Sequence, residues 1–341
     1  MVGAGTVGQW LLRAIDSGLA ARYDVDLRVV GTANARDGFV YDEGGLDIPR
    51  TLGSLSEGMS IADQPGARAW PSALEGLRAT DADVLVEATG SPATDDGEPG
   101  LSHIREALER SIPVVTSNKW PIALHGVELA RLARSRRAAL RAESTVMSGT
   151  PVLRALTEGL AGATPIALRG ILNATANFVL SRMNSGDSYE AALAEAQRAG
   201  LAERDPGADV DGPDSVAKLM ILSGLVFGRQ LRPAEVVCRG ITGISRAEIE
   251  VAASRGARIR HVATLAFAEP GGVGEVTARV EPSPLPGDDP LAHVEGTTNA
   301  VVCRARPVGD VTISGPGAGL ELAGQGVLGD LIDVARSLAT S

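Results

Sequence analysis

Residues 3–8 read GAGTVG and lead, after Gln9, into WLLRAI, whose apolar positions recur at helical spacing. That is a turn leading into a helix. In a dinucleotide-binding βαβ unit Gly3 makes the turn, Gly5 lets backbone approach a pyrophosphate, and Gly8 allows helix to pack on strand. Thr6 and Val7 then lie at the helix N-terminus, where the phosphates sit. Residues 27–32, LRVVGT, come at the right distance for the second strand of such a unit. Only Met1 and Val2 precede the glycines, so the first strand is truncated almost to nothing.

The end of the second strand should carry the residue that reads the adenosine ribose. The text there is Asn34-Ala35-Arg36-Asp37-Gly38. Arg36 is placed for a 2′-phosphate, which favours NADP, and Asp37 keeps NAD open. Residues 42–68, rich in Gly, Ser and Asp, read as loop with short elements. Residues 83–90 (DVLVEATG) and 112–116 (IPVVT) read as buried parallel strands with a helix between them. Ligands in such sheets bind beyond the strand C-termini, so Thr89, Gly90, Ser117 and Lys119 are cofactor candidates. Lys119 would point at the nicotinamide end.

After a helix over 121–137 and a strand over 139–143, residues 144–151 make a turn that enters a helix at Pro151. Further helices are expected at 177–184, 189–199 and 214–227, and half-buried strands at 166–173, 260–267, 275–280 and 300–306. Such strands suit an open antiparallel or mixed sheet with one face on helices, which often forms a dimer contact. Glycines 315, 317 and 319 then open a last helix, and Gly317 is expected to add a backbone N–H near the cofactor. The fold class is α/β: a Rossmann-like doubly wound parallel sheet with a second α+β domain for catalysis and dimerisation. Residues 1–140 are assigned to the nucleotide-binding domain, 141–305 to the second domain, and 306–341 to a segment returning to the first.

At 341 residues the chain can bury two cores. A net charge of -10, without a basic stripe interleaved with aromatics, argues against nucleic acid or anionic membrane as partner. No apolar run approaches a membrane span and no signal-peptide order is present, so a cytoplasmic location is expected. Cys238 and Cys303 match no disulfide framework or metal spacing.

The densest chemistry lies in 200–218, GLAERDPGADVDGPDSVAK. Of 32 basic residues only Lys119 and Lys218 are lysine. Arginine holds an anion but keeps its proton, whereas lysine can be tuned to release one. Pro213 suits the first turn of a helix, and Asp214 suits the positive end of its dipole. Lys218 then lies one turn above Asp214 on the same face. An exposed pair of this kind is worth only a few tenths of a kcal/mol. The run LMILSGLVF that follows indicates a buried helix instead, and a buried lysine beside acids is a candidate for catalysis. A calcium loop fails, because its frame puts Gly207 at the first ligand position and Lys218 at the bidentate one.

Residues 3–8, 116–119, 143–151, 171–180 (ILNATANFVL), 203–218 and 315–319 together, in order and approximate spacing, resemble homoserine dehydrogenase in a short form. The resemblance implies NAD(P)-dependent interconversion of L-homoserine and L-aspartate 4-semialdehyde by a homodimer, on the route to threonine and methionine. It implies Lys218 as proton donor and acceptor, Asp214 as the group that positions it, and Lys119 as a group orienting cofactor or substrate. It implies Glu203 and Asp209 as substrate-binding, with Glu203 on the ammonium. Glu143 and the carbonyls of Val146, Ser148 and Thr150 would hold a monovalent cation such as sodium. Departures are Leu201 in place of a usual Tyr, Ala174 in place of a usual Gly, and no Thr-Ala-Ser after the last glycines. Two rivals stand beside this reading. Aspartate semialdehyde dehydrogenase needs a nucleophilic Cys at a strand-to-helix turn, which neither cysteine provides. An inactive NADP-binding sensor of the same fold would bind cofactor without turnover.

Overall fold

Helix Thr6–Asp16 starts where the glycines end and buries Gly8, Leu11, Leu12 and Ala14 on one face. The structure is a computed structural model that describes residues 1–270 and 272–340. The chain divides into two units, one of residues 1–145 with the C-terminal helix Leu320–Ala339, the other Val146–Gly319.

In the first unit, β1 (Gly31–Asn34), β2 (Gly38–Tyr41) and β3 (Arg68–Trp70) form an antiparallel meander. The strands β4 (Leu85–Glu87), β5 (Val114–Thr116) and β6 (Leu140–Arg141) are parallel, in that order, with helices Gly100–Glu109 and Lys119–Ser135 as the connections between them. That is the α/β alternation expected from the sequence, and its buried strands read as apolar runs because helices cover them. The two three-stranded sheets meet at a single residue. Val2 bridges Ala33 on one side and Glu87 on the other, both in parallel sense. The strand expected at 27–32 begins only at Gly31; just before it, the Val29 and Val30 carbonyls accept from the Leu46 and Asp42 N–H groups. The stretch 42–68 contains helix Ile48–Ser56, whose start is Asp47 capping the Arg50 N–H with Pro49 in the first turn. Helix Leu320–Ala339 packs along Thr6–Asp16, and Gly324 lies so close to the Trp10 ring that a side chain would collide.

The second unit is a six-stranded sheet in the order β12-β11-β7-β9-β10-β8. Its members are β7 (Thr164–Ile171), β8 (Val237–Cys238), β9 (Ala257–Glu269), β10 (Val273–Pro286), β11 (Thr298–Arg306) and β12 (Gly309–Pro316). All neighbours are antiparallel except β8 and β10. The four strands expected here are present, two of them much longer than their apolar cores suggested. Prolines 282, 284 and 286 continue β10 past its short pairing with β8, where one side of the strand is an edge and a missing N–H is tolerated. Helices Ala174–Asn184, Pro213–Phe227 and Arg246–Ser254 pack on β9. The last was not expected, although Ser245 and Glu248 form a capping box at its start. Helix Pro213–Phe227 is apolar nearly all round and buried from Ser215 to Gly224. Arg260 on β9 is fully buried and binds the Ala292 carbonyl, the Ser181 hydroxyl at 2.7 Å and the Asn177 amide oxygen at 3.4 Å. Among the described residues no helix is long and apolar enough to cross a membrane.

Candidate active site

In the second unit Gly212, at φ +99°, turns the chain into helix Pro213–Phe227, and a Cβ there would sit 2.7 Å from Cys238 Sγ. That turn puts Asp214 in the first helical turn and Lys218 above it, as the spacing predicted. Lys218 is 8% exposed. Its Nζ lies 2.8 Å from Asp214 Oδ2 and donates to the Leu172 carbonyl at 2.8 Å. The pair is therefore not a solvated surface bridge. Leu172 is the last residue before Asn173, which caps helix Ala174–Asn184 by accepting the Ala176 N–H. The Asn173 Nδ2 donates to Asp209 Oδ1 at 2.7 Å and to Asp214 Oδ2 at 3.0 Å, so one amide holds both carboxylates. Asn299, fully buried on β11, donates to the same Leu172 carbonyl that Lys218 uses. Burial raises the Asp209 pKa, and the nearby Asp214 charge raises it further, against the Asn173 bond and Lys218.

Asp209, Asp214 and Lys218 are thus brought together. Glu203 is on the loop after helix Tyr189–Arg198; its side chain is exposed and its carbonyl accepts from Gln197. Thr175 ties that loop to the cluster's base by donating to the Leu201 carbonyl at 2.7 Å. Ser148 sits at φ +52°, a conformation rare outside glycine, and its hydroxyl donates to the Gly317 carbonyl at 3.3 Å. Thr150 donates to the Pro316 carbonyl, and its own carbonyl accepts from Val152 N–H. Gly317 closes against Asn299 without room for a Cβ, and its N–H donates to the Thr297 carbonyl rather than standing open to a phosphate. Among the described residues no three His, Cys, Asp or Glu cluster as metal ligands.

In the first unit, Gly3 has φ +101° and a Cβ would lie 2.5 Å from the Ala88 carbonyl, so the turn passes directly under the end of β4. Gly5 is exposed with open space beside it. Helix Thr6–Asp16 has no side-chain cap and no acid in its first turn, which leaves its N–H groups and dipole for an anion. These residues fit a pyrophosphate. Thr89 and Gly90 follow β4, and Ser117 and Asn118 follow β5. Glu87, fully buried, organises this edge by accepting from the Thr89 hydroxyl and from Thr116 Oγ1 at 3.3 Å, while Ser117 N–H donates to its carbonyl. Asn118 donates to Ser91 Oγ at 2.7 Å and Thr89 Oγ1 at 3.2 Å, and precedes Lys119 at the start of its helix. Glu143 is buried, and its N–H donates to Asp330 at 2.9 Å.

At the end of β1, Asn34 accepts from the Arg36 and Asp37 N–H groups and donates to Asp37 Oδ2. Burial would raise the Asp37 pKa, but bonds from Asn34, Arg36 and the Ile61 N–H outweigh it and hold the carboxyl at about 2. The Arg36 guanidinium, half exposed, donates to the carbonyls of Gly58 and Met59 and pairs with Asp37. Glu87, Asn173 and Asn299 were not among the site residues expected from the sequence. For Asn173 the signal was there, an Asn directly before a helical run. A buried Glu at a strand end and an Asn inside a strand carry no comparable mark.

Known proteins similar to this chain agree with one another. The homoserine dehydrogenase family model matches residues 151–332. An NAD(+)-dependent homoserine dehydrogenase of Pseudomonas canavaninivorans is 39% identical over 311 residues, 91% of this chain and 87% of that protein. A homoserine dehydrogenase of Methanocaldococcus jannaschii is 31% identical over 341 residues, 99% of this chain and 98% of that one. Among solved structures, a hyperthermophilic archaeal homoserine dehydrogenase in complex with NADPH superposes with a TM-score of 0.80 at 30% identity, covering 98% of this chain and 96% of that one.

Proposed function

Because the chain belongs to the homoserine dehydrogenase family, we propose that it interconverts L-homoserine and L-aspartate 4-semialdehyde through the residues described above. A bound NAD(P) supplies hydride exchange at the carbon that carries the oxygen. The chain's own task is the proton and the positioning. Lys218 Nζ holds the proton that the alcohol oxygen loses on oxidation or gains on reduction. Asp214 keeps that ammonium in place, and Asn173 fixes Asp214 and Asp209 in one orientation. Asp209 and Glu203 take the substrate's polar groups, with Glu203 on the ammonium. The backbone of Gly3, Gly5, Thr6, Val7 and Gly8 receives the pyrophosphate. Thr89, Gly90, Ser117 and Lys119 line the nicotinamide end. The observation that carries this reading is Lys218, buried with its amine between Asp214 and the Leu172 carbonyl.

NADP is the expected partner of Arg36, and NAD is the alternative, since relatives include an NAD(+)-dependent enzyme and an NADPH complex. The carbonyls of Val146, Ser148 and Thr150, with Glu143 earlier in the same segment, are candidate ligands for a monovalent cation such as sodium. The enzyme is cytoplasmic, serves threonine and methionine synthesis, and works as a homodimer; the exposed edge strand β12 is consistent with a sheet that meets a second copy. The test is growth of the reduced cofactor's near-ultraviolet absorbance when purified protein receives homoserine and NADP or NAD. Tight cofactor binding without any such growth in either case would sink the assignment.

A further inference from the structure

Strand β11 carries an asparagine where the residues that follow it are apolar. Asn299 is fully buried, and Ala300, Val301, Val302 and Cys303 after it are buried as well. Asparagine is depleted in strands, and here its amide leaves one atom unmet: among the described residues Oδ1 is buried without a hydrogen-bond partner. A buried amide oxygen with no donor lowers stability, and a leucine of the same branched shape would avoid that. What the asparagine offers in return is its nitrogen. Nδ2 donates to the Leu172 carbonyl at 3.0 Å.

That bond stands where the sheet runs out. Strands β7 and β11 pair as far as Ile171 opposite Ala300. One step further, at Leu172 and Asn299, the main-chain ladder has ended and the Asn299 side chain takes the carbonyl instead. The amide cannot swing away, because the Gly317 backbone lies against it: a Cβ on Gly317 would fall 2.2 Å from Asn299 Cγ. Gly317 is tied in turn by its N–H to the Thr297 carbonyl and by its own carbonyl to the Ser148 hydroxyl. The Leu172 carbonyl therefore has two donors, one for each lone pair: Asn299 Nδ2 and, at 2.8 Å, Lys218 Nζ. Among the described residues this carbonyl and Asp214 Oδ2 are what hold the Lys218 amine. An ammonium is tetrahedral, so fixing two of its N–H directions fixes the third.

We infer that Asn299 is a positioning residue for proton transfer: it locks the peptide plane between Leu172 and Asn173, so that the N–H of Lys218 not taken by Asp214 or Leu172 keeps one direction. The inference rests on the role proposed for Lys218. Asn173 fixes the carboxylates on one side of the lysine, and Asn299 fixes the carbonyl on the other. Without Asn299 the carbonyl turns with its peptide plane, the amine is left on Asp214 alone, and its remaining N–H wanders.

Lys119 and Lys218 are the only lysines in the chain, so protein grown on isotope-labelled lysine gives two side-chain signals by NMR, that of Lys218 assigned by its loss in Lys218→Arg. In the parent the paired ε-protons of Lys218 are expected to show separate shifts, the mark of a fixed side chain. In Asn299→Leu and in Asn299→Ala they are expected to merge, with Lys119 unchanged. Asn299→Leu, which removes the unmet oxygen, is expected to melt at or above the parent's temperature. Its kcat on homoserine is expected to fall at least about tenfold with KM within about twofold, because a group misplaced by a fraction of its length loses rate rather than substrate. Merged shifts already in the parent, or separate shifts kept in both variants, overturn the inference. So does an active parent whose kcat both variants keep within about twofold. A lower melting temperature in Asn299→Leu, with Lys119 shifting too, makes Asn299 a packing residue and overturns it as well. A parent that turns over no homoserine, with the Lys218 shifts merging as expected, overturns the proposed activity and not the positioning.

Discussion

Lys218 has three N–H groups, and among the described residues Asp214 and the Leu172 carbonyl take two of them. One donor is left for a ligand. An arginine would carry the same charge but would keep its proton, so Lys218→Arg tests proton transfer with the charge retained. Its kcat is expected to fall at least ~100-fold with cofactor Kd nearly unchanged, read by steady-state rates and a binding titration. Activity within a few-fold of the parent would make Lys218 a structural residue. Asp209 has the opposite problem, because its folded-state pKa is raised by burial and by Asp214. Between the ordinary carboxylate value and that raised value the folded chain binds the proton more tightly than the unfolded chain does. Stability from this group therefore falls as pH rises through that window and is constant above it. Asp209→Asn keeps an acceptor for Asn173 and removes the titration. Its melting temperature is expected to exceed the parent's at neutral pH, with the advantage shrinking as the solution is acidified to below 3.8, while turnover drops. A difference in melting temperature that does not change with pH would remove Asp209's titration as the cause.

Two short elements set the geometry of those side chains. Asn173 is at once the cap of helix Ala174–Asn184 and the clamp on two carboxylates. Asn173→Ala is expected to lose about 0.5–2 kcal/mol of stability from the cap alone, by denaturant titration. Asn173→Ser, which restores the cap without the amide, should recover that stability but not the turnover; recovery of both would mean Asn173 acts only on the helix. At Gly212 the backbone is left-handed and Cys238 is close, so Gly212→Ala is expected to destabilise by more than about 1 kcal/mol and to lower kcat by moving Asp214 and Lys218 together. Unchanged stability would show that the turn relaxes freely. The helix holding Asp214 and Lys218 was legible in the sequence, since a proline and an acid in the first turn followed by an apolar run announce a buried helix. The clamp was not, because it joins Asn173 to residues 36 and 41 positions away, and no local pattern reports which distant carboxylates an amide will reach. Strand β12 was hidden for a related reason: Gly315 and Pro316 look like a turn, yet pairing with β11 holds them extended.

At the level of the whole chain, alternation of strand and helix announced the α/β architecture, and the glycine turn announced its ligand class. The meander β1-β2-β3 was not announced, because its strands are three or four residues long and too short for periodicity to register. It matters for specificity, since Arg36 hangs from its first turn. Arg36→Ala is expected to raise the Kd for NADP about tenfold and that for NAD less than about twofold, by fluorescence titration with each cofactor. Equal loss for both would separate Arg36 from the 2′-phosphate. Arg260 has a different consequence. Its guanidinium finds the Asn177 amide, the Ser181 hydroxyl and the Ala292 carbonyl only when β9 and helix Ala174–Asn184 stand in one alignment. Slide the strand by a single residue and a cation is stranded in oil. A greasy core alone would forgive that error; this one punishes it, so the molecule proofreads its own assembly.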